Sequence, residues 1–525
     1  MNSVKIKMSK LDIQKIIPLT FLINFPILSE PQLIAGFIAE GKVQNLWFLW
    51  SSAFCLSAGL FFFSGLWKKA GISSENELHT ARYTGIWAKR LQIFRAIFLS
   101  LIILPLVNAQ LIRVFSKVAS SFFQYISYVD FVFIITVFIA LLHLINSLKI
   151  RLIQDSFLGL IYLFFVLWIV VSAVFSFSKG YSSFMLMNEV NSLQIIPSTA
   201  NELIEFLFFI LVGWWLTGIC DFPDMTGQKL LSEHVEKPFI QLIRFVLVYF
   251  IIETVMVFAG LFAGLNHAKE GLSGEEIVAA MLAGFGPNLQ IPVAILLTIS
   301  FFGLLLNNLL WSDTLIGTTR TVKVGKKEVL RIKLVSLIGL VLSSMLTMYD
   351  FTLFSIVKYL FVIGAGVGPV FMLRWYIPHI NALTQITAMI SSLIYANLYA
   401  LYARNTSSLR CIYDNHFSSF REGEFIMQIV FTGSLTTITW ICVMYLSRNE
   451  SELMHAKSFI DRIGSKAKDI IPRIKGFLLL SSFLILFKLL IWFMFTENYL
   501  SVFILFCFIL LITFMFYRFL KTFKF

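Results

Sequence analysis

Near the start of the chain, Asn24-Phe25-Pro26-Ile27-Leu28-Ser29-Glu30-Pro31 places an amide, a hydroxyl and a carboxylate inside an otherwise apolar run. Two prolines five positions apart each remove a backbone donor, so an unbroken helix cannot pass through them. Non-helical backbone inside a span is tolerated only where it is buried in protein or lines a cavity; the alternative is that the prolines merely kink the helix. Asn24 offers a donor and an acceptor together. Glu30 can contact a solute or an ion, or serve as a snorkelling or capping carboxylate. A second interruption, Gly213-Trp214-Trp215-Leu216-Thr217-Gly218, carries two large aromatics. Trp214 and Trp215 can stack on a sugar ring or gate a cavity, and they can equally be packing residues. Further polar groups inside apolar runs are Asn307, Asn308, Lys358, Glu253 and Asp130. His143 with Asn146, and His379, stand at run ends, where a lone histidine is an interfacial polar residue or a catalytic one. The glycines 364, 366 and 368 do not form a phosphate cradle, because no Lys-Ser/Thr follows and no strand precedes them. Small residues at that spacing let helices approach closely.

The elements that position these residues follow from composition. The 525 residues are 58% hydrophobic and 14% charged, include 56 Phe and have a mean hydropathy of +0.84. A soluble globular chain is about 25% charged, so too few polar side chains exist here to coat a water-facing surface. The expectation is an integral membrane protein of all-α class, a polytopic bundle of transmembrane helices. Disordered, coiled-coil and secreted disulfide classes are excluded, as is any large aqueous domain. Five cysteines without paired spacing indicate neither a disulfide framework nor a metal site. No short apolar stretch with a small-residue cleavage site follows the basic N-terminus, so no removable signal is expected.

A span needs about 20 mostly apolar residues. That criterion selects roughly fourteen runs, near 16–40, 46–66, 92–113, 122–147, 152–176, 200–220, 239–264, 289–311, 332–348, 351–373, 381–402, 425–446, 477–496 and 499–517. The net charge of +13 is a topology signal, not a nucleic-acid one. Lys68 to Arg90, Lys149 and Arg151, Arg320 to Arg331, Arg448 to Lys475 and the tail cations all fall on one set of alternating loops. This places both termini in the cytoplasm of a multi-pass cell-membrane protein, with membrane lipid as a partner. The segments 68–90 and 450–475 are expected on the membrane without crossing it. The organisation is a helical core over 1–447, a basic connector over 448–475 and a terminal hairpin with its tail over 476–525. Spans one and six, the two interrupted ones, occupy matching places in two five-helix halves of opposite orientation. That arrangement points to inverted repeats around a midplane site.

The chain resembles the sodium:solute symporter family, in particular its bacterial sugar-transporter-like branch. One block is Gly364-Ala365-Gly366-Val367-Gly368-Pro369, followed by Leu373-Arg374-Trp375-Tyr376 and Ile380-Asn381-Ala382. A second runs from Ser29-Glu30-Pro31 through Trp47, Trp50 and Leu66-Trp67-Lys68-Lys69-Ala70-Gly71 to Glu77-Leu78, Arg82-Tyr83-Thr84-Gly85 and Phe94-Arg95-Ala96. Asp155, Trp214-Trp215 and Gly227-Gln228-Lys229-Leu230-Leu231-Ser232 also match, so most of residues 20–450 is covered. The resemblance implies a LeuT-like fold of two inverted five-helix repeats with extra C-terminal helices. It further implies alternating access and sodium-driven uptake of a small polar solute. By position it assigns Glu30 to the solute and Asp155 to the inner ion path; Asn24, Trp214, Trp215 and Asn307 are further solute candidates on the chemistry of their side chains, and Asn307 can serve an ion instead. Asp155 can instead pair with Arg151, and Asn307 and Asn308 can instead hydrogen-bond between helices.

The chain departs from the family at the ion site. The matched positions are Ile23, Pro26 and Ser300, with Gly303 and Leu304 where relatives carry two hydroxyls. Sodium wants oxygen ligands. Sodium coupling is therefore in doubt, and protons acting through Glu30 and Asp155 are the alternative; no cofactor is expected. Members also begin with one further helix ahead of the broken one, which has no counterpart here. The leading expectation is a secondary transporter of a small polar organic solute. A non-transporting component of an assembly or a sensor is the second, and a membrane enzyme using His143 the third.

Overall fold

The computed structural model of the chain describes residues 30–39, 46–72, 75–122, 125–145, 274–284, 287–317, 326–349, 353–405, 423–464, 470–495 and 499–522, with isolated positions between 157 and 246. Every regular element among them is helical. In chain order these are α1 (Glu30–Ala39), α2 (Leu46–Trp50), α3 (Ser52–Ala58), a π-helical segment (Gly59–Phe63), α4 (Ser64–Ala70), α5 (Glu75–Arg82) and α6 (Gly85–Phe98). A second π-helical segment (Leu99–Ile103) leads to α7 (Leu104–Phe122) and α8 (Tyr128–Ile145). Then follow α9 (Gly274–Gly284), α10 (Pro287–Gly317), α11 (Lys326–Thr347), α12 (Leu353–Leu373), α13 (Ala382–Asn405), α14 (Gly423–Leu446), α15 (Glu450–Ile463), α16 (Ile470–Phe495) and α17 (Tyr499–Thr522).

Among the described residues, eight helical stretches are long and apolar enough to cross a membrane: Gly85–Ser120, Tyr128–Ile145, Gln290–Gly317, Glu328–Thr347, Ser355–Leu373, Phe425–Leu446, Ile470–Met494 and Tyr499–Lys521. Each coincides with a run read from the sequence. The expected second and eleventh runs are helical too. Of the runs near 152–176, 200–220 and 239–264 only isolated positions are described. In α17 only 6% of the most apolar window is buried, and its exposed Phe503, Phe506, Phe508 and Phe514 form an apolar surface suited to lipid.

The chain forms two compact units. In the first, over 1–40, 100–187 and 224–350, α7 to α11 surround an aromatic core. Phe115 stacks on Phe301 with ring centres 4.2 Å apart, and Phe302 meets Phe138 edge-on at 5.6 Å. One end of this unit is tied by Arg113 donating to the carbonyl of Tyr349, Tyr128 donating to that of Thr347, and Lys117 pairing with Glu276 at 3.2 Å. The other end gathers His143, Asp313 and Lys333. These groupings follow the sequence-derived alternation of sides. Spans three and four turn together with the end of span nine, and the end of span four meets the end of span eight and the start of span nine.

The second unit, over 41–99, 188–223 and 351–525, holds α2 to α6 and α12 to α17. The glycine run lets α12 and α14 touch. A Cβ on Gly366 would fall inside the Thr436 side chain, and one on Gly433 would already contact Ala365. The segment 68–90 departs from the expected membrane-surface helix. Its charged residues Glu75, His79 and Arg82 are buried in protein, because the turns at 374–380 and Arg95 supply partners for them. Residues 450–463 form the expected amphipathic helix. Its apolar side, Ala456, Phe459 and Ile463, is covered by protein, with Phe459 against Trp375 at 6.3 Å.

Candidate functional site

Much of the expected site lies outside the described residues: Ile23, Asn24, Pro26, Asp155, Trp214 and Trp215, and with them Glu253. Glu30 is the first residue of α1. Val212 and Gly213 lie in π-helical backbone, next to the second interruption read from the sequence.

The degenerate ion site is described on α10. Ser300 is fully buried, Gly303 is buried and Leu304 is half-buried. Neither Gly303 nor Leu304 has a side-chain oxygen, so this stretch offers a hydroxyl only at Ser300. Asn307 is buried one turn further on. Asn308 donates to Asn108 Oδ1 at 2.8 Å, the interhelical hydrogen bond weighed as its alternative role. Lys358 lies over the Phe425 ring at 5.3 Å. Asp130 accepts from Ser127 Oγ at 2.7 Å and its backbone N–H donates back at 3.2 Å, a cap on the first turn of α8.

Gln32, missed in the sequence, stands six positions beyond Pro26. It is 2% exposed, and neither its amide nitrogen nor its amide oxygen has a hydrogen-bond partner. Leaving such a group unmade costs about 1–3 kcal/mol, which a buried water or a ligand would offset. Its backbone is held by close packing. A Cβ on Gly274 would collide with the Gln32 carbonyl and lie 2.8 Å from Gly36 N, so α1 and α9 meet through glycine. The signal was a single polar side chain ahead of Leu33-Ile34-Ala35, hidden behind the more conspicuous Pro31 and Glu30.

In the second unit the two blocks that carry the family resemblance, some three hundred residues apart, meet in one buried knot. Glu75 Oε1 lies 2.6 Å from Arg95 Nη2 and 3.2 Å from Arg374 Nη1. Arg82 donates to the carbonyls of Arg374, Ile377 and Ile380 at 2.9, 2.9 and 3.3 Å, and so clamps the turn after α12. Trp67 packs on Trp375 at 5.2 Å. Asn381 donates to Ser447 and accepts the backbone N–H of Thr384 at 2.9 Å, capping α13. His79 faces Glu75 Oε1 at 3.8 Å. Burial, then Arg374 and Arg95, hold the His79 imidazole well below the usual histidine range. This knot is a structural clamp: its charges are engaged with one another and with backbone carbonyls.

No family model and no curated protein matches the chain. Among solved structures, a Na⁺-coupled sialic acid symporter in a substrate-bound outward-open state aligns at 13% identity and a TM-score of 0.49, over 82% of this chain and 98% of that one. A mutant manganese transporter of Eremococcus coleocola aligns at 14% identity and a TM-score of 0.38, over 91% of this chain and 98% of that one.

Proposed function

We propose that the chain is a secondary active transporter that moves a small polar organic solute, such as a sugar, across the cell membrane by alternating access. The observation that carries this reading is Gln32: a buried amide with both of its polar atoms open, on the helix that starts at Glu30. A polar group kept in an apolar setting without an internal partner fits a site that receives one from a solute. Asn24, Glu30, Trp214, Trp215 and Asn307 are the further solute contacts in this proposal, with Asp155 on the inner path. The missing oxygens at Gly303 and Leu304 weigh against sodium as the driving ion. They also favour the second reading, a non-transporting component of a membrane assembly or a sensor.

Purified protein in liposomes, offered panels of polar solutes under inward Na⁺ or H⁺ gradients, separates the two. The expected result is gradient-driven uptake of at least one solute that Gln32→Leu reduces about tenfold or more, in line with a lost hydrogen-bonding partner in a polar site. Uptake of nothing in the panel, with no solute altering thermal stability, sinks the transport reading.

A further inference from the structure

Three apolar helices of the first unit bring ionisable groups together at one of its ends. His143, in the last turn of α8, is 3% exposed and Asp313 of α10 is 12% exposed, with Nε2 and Oδ2 3.4 Å apart. That is ion-pair distance, yet no hydrogen bond reaches His143 Nε2. The other carboxylate oxygen of Asp313 accepts from Ser336 Oγ of α11 at 2.5 Å, and Ser312 Oγ lies 3.0 Å from the same hydroxyl. Lys333 donates to the carbonyls of His143 and Leu144, at 2.8 Å each, and so holds its charge at the negative end of α8. Of the other described charged groups on the packed helices, Arg331 pairs with Glu328 at 3.2 Å on α11. Asp130 of α8 and Arg113 and Lys117 of α7 belong to the opposite end of the unit.

Ionisable residues in apolar spans are costly and mark ion or proton paths. Here the carboxylate is held by a hydroxyl while the imidazole nitrogen facing it is buried and open. We propose that His143 and Asp313 form a proton-binding site. A hydronium ion transfers its proton to Nε2 of neutral His143: one N–H bond forms, one O–H bond breaks and a water leaves. The imidazolium then faces Asp313 Oδ2 at ion-pair distance, 3.4 Å. The site deepens the transport reading and rests on it for its use. The helix that lacks oxygens at 303 and 304 carries Asp313 further along, so α10 can bind a proton where it cannot dress a metal cation.

The test uses the full-length protein with ring-¹⁵N-labelled histidine in lipid. The chain has seven histidines, and the resonance absent from His143→Gln identifies His143. His143→Asn gives the same identification if the glutamine variant does not fold. The expected result is a change from neutral imidazole to imidazolium between about pH 8.5 and about pH 5. In Asp313→Asn the proton affinity falls about tenfold or more, because the opposite charge is gone. A His143 signal that stays neutral wherever the protein remains folded, or titrates alike in Asp313→Asn, overturns the proposal. Solute uptake driven by a pH gradient is measured separately. Titration without uptake keeps the proton site and removes the transport reading; uptake without titration removes the site and keeps transport.

Discussion

At the scale of single residues, the second unit depends on one carboxylate oxygen shared by two buried guanidiniums. Removing one partner of a buried ion pair leaves a charge with neither water nor a counter-charge, at a cost of about 3–5 kcal/mol. Glu75→Gln is therefore expected to lower the thermal unfolding midpoint sharply, while Lys69→Gln at an exposed position leaves it within error. Differential scanning fluorimetry of the two purified variants in one detergent is the check. His79 adds a pH dependence of definite sign. Burial and the two arginines keep its folded pKa well below the unfolded value of 6.5, so as pH falls the unfolded chain takes the proton first. The contribution of neutral His79 is complete above 6.5 and is lost progressively as pH drops below it. The midpoint of the wild type should fall between about pH 7 and about pH 5 more steeply than that of His79→Gln, and equal slopes would contradict the assignment.

At the scale of elements, close approach is built from missing side chains and opened backbone. Gly366 has no room for a Cβ against Thr436, so Gly366→Val must push α12 from α14, an overpacking cost of about 1–3 kcal/mol. Gly71 is different: it closes α4 in the left-handed region at φ 66° with open space around it. Gly71→Ala therefore carries only the left-handed strain of about 1–2 kcal/mol and no packing loss. Equilibrium unfolding should show the Gly366 variant losing cooperativity as helices separate, and the Gly71 variant keeping it. The glycine run was legible as a helix contact because small residues at that spacing have few other uses in a span. The π-helical segment Gly59–Phe63 was not legible. It lies in an unbroken apolar run, and what it opens, the Phe62 carbonyl, is occupied by Tyr376 and Arg473 from distant parts of the chain. For the same reason 68–90 was misread as a surface segment. Local charge looks alike whether its counter-charges come from water or from Arg95 and Arg374, and only the fold supplies the latter. Gln32 was missed because burial, not residue type, is what makes an amide expensive.

At the scale of the whole molecule, loop charge and helix pairing agree on the alternation of sides. In each unit, the loop ends that meet are ones the basic residues had assigned to the same face of the membrane. That agreement links composition to topology without any fine detail of packing, which is why it was readable in advance, whereas the ligands of a site depend on side-chain geometry. The coupling ion of the proposed transport is a question at this same scale, since a ligand bound only by the folded chain stabilises all of it. A site holding sodium at a hundred times its dissociation constant would add about 2.7 kcal/mol to stability. Gly303 and Leu304 bring no side-chain oxygen, which leaves Ser300 and backbone carbonyls on this stretch for a cation that wants oxygen ligands. Exchanging potassium for sodium at constant ionic strength should therefore leave the unfolding midpoint of the wild type unchanged. A Gly303→Ser, Leu304→Thr chain, which regains both hydroxyls, is the one expected to gain a sodium-dependent rise. If instead the wild type itself is stabilised by sodium, and Ser300→Ala removes the effect, the cation is bound on α10 after all and the proton ceases to be needed as the coupling ion.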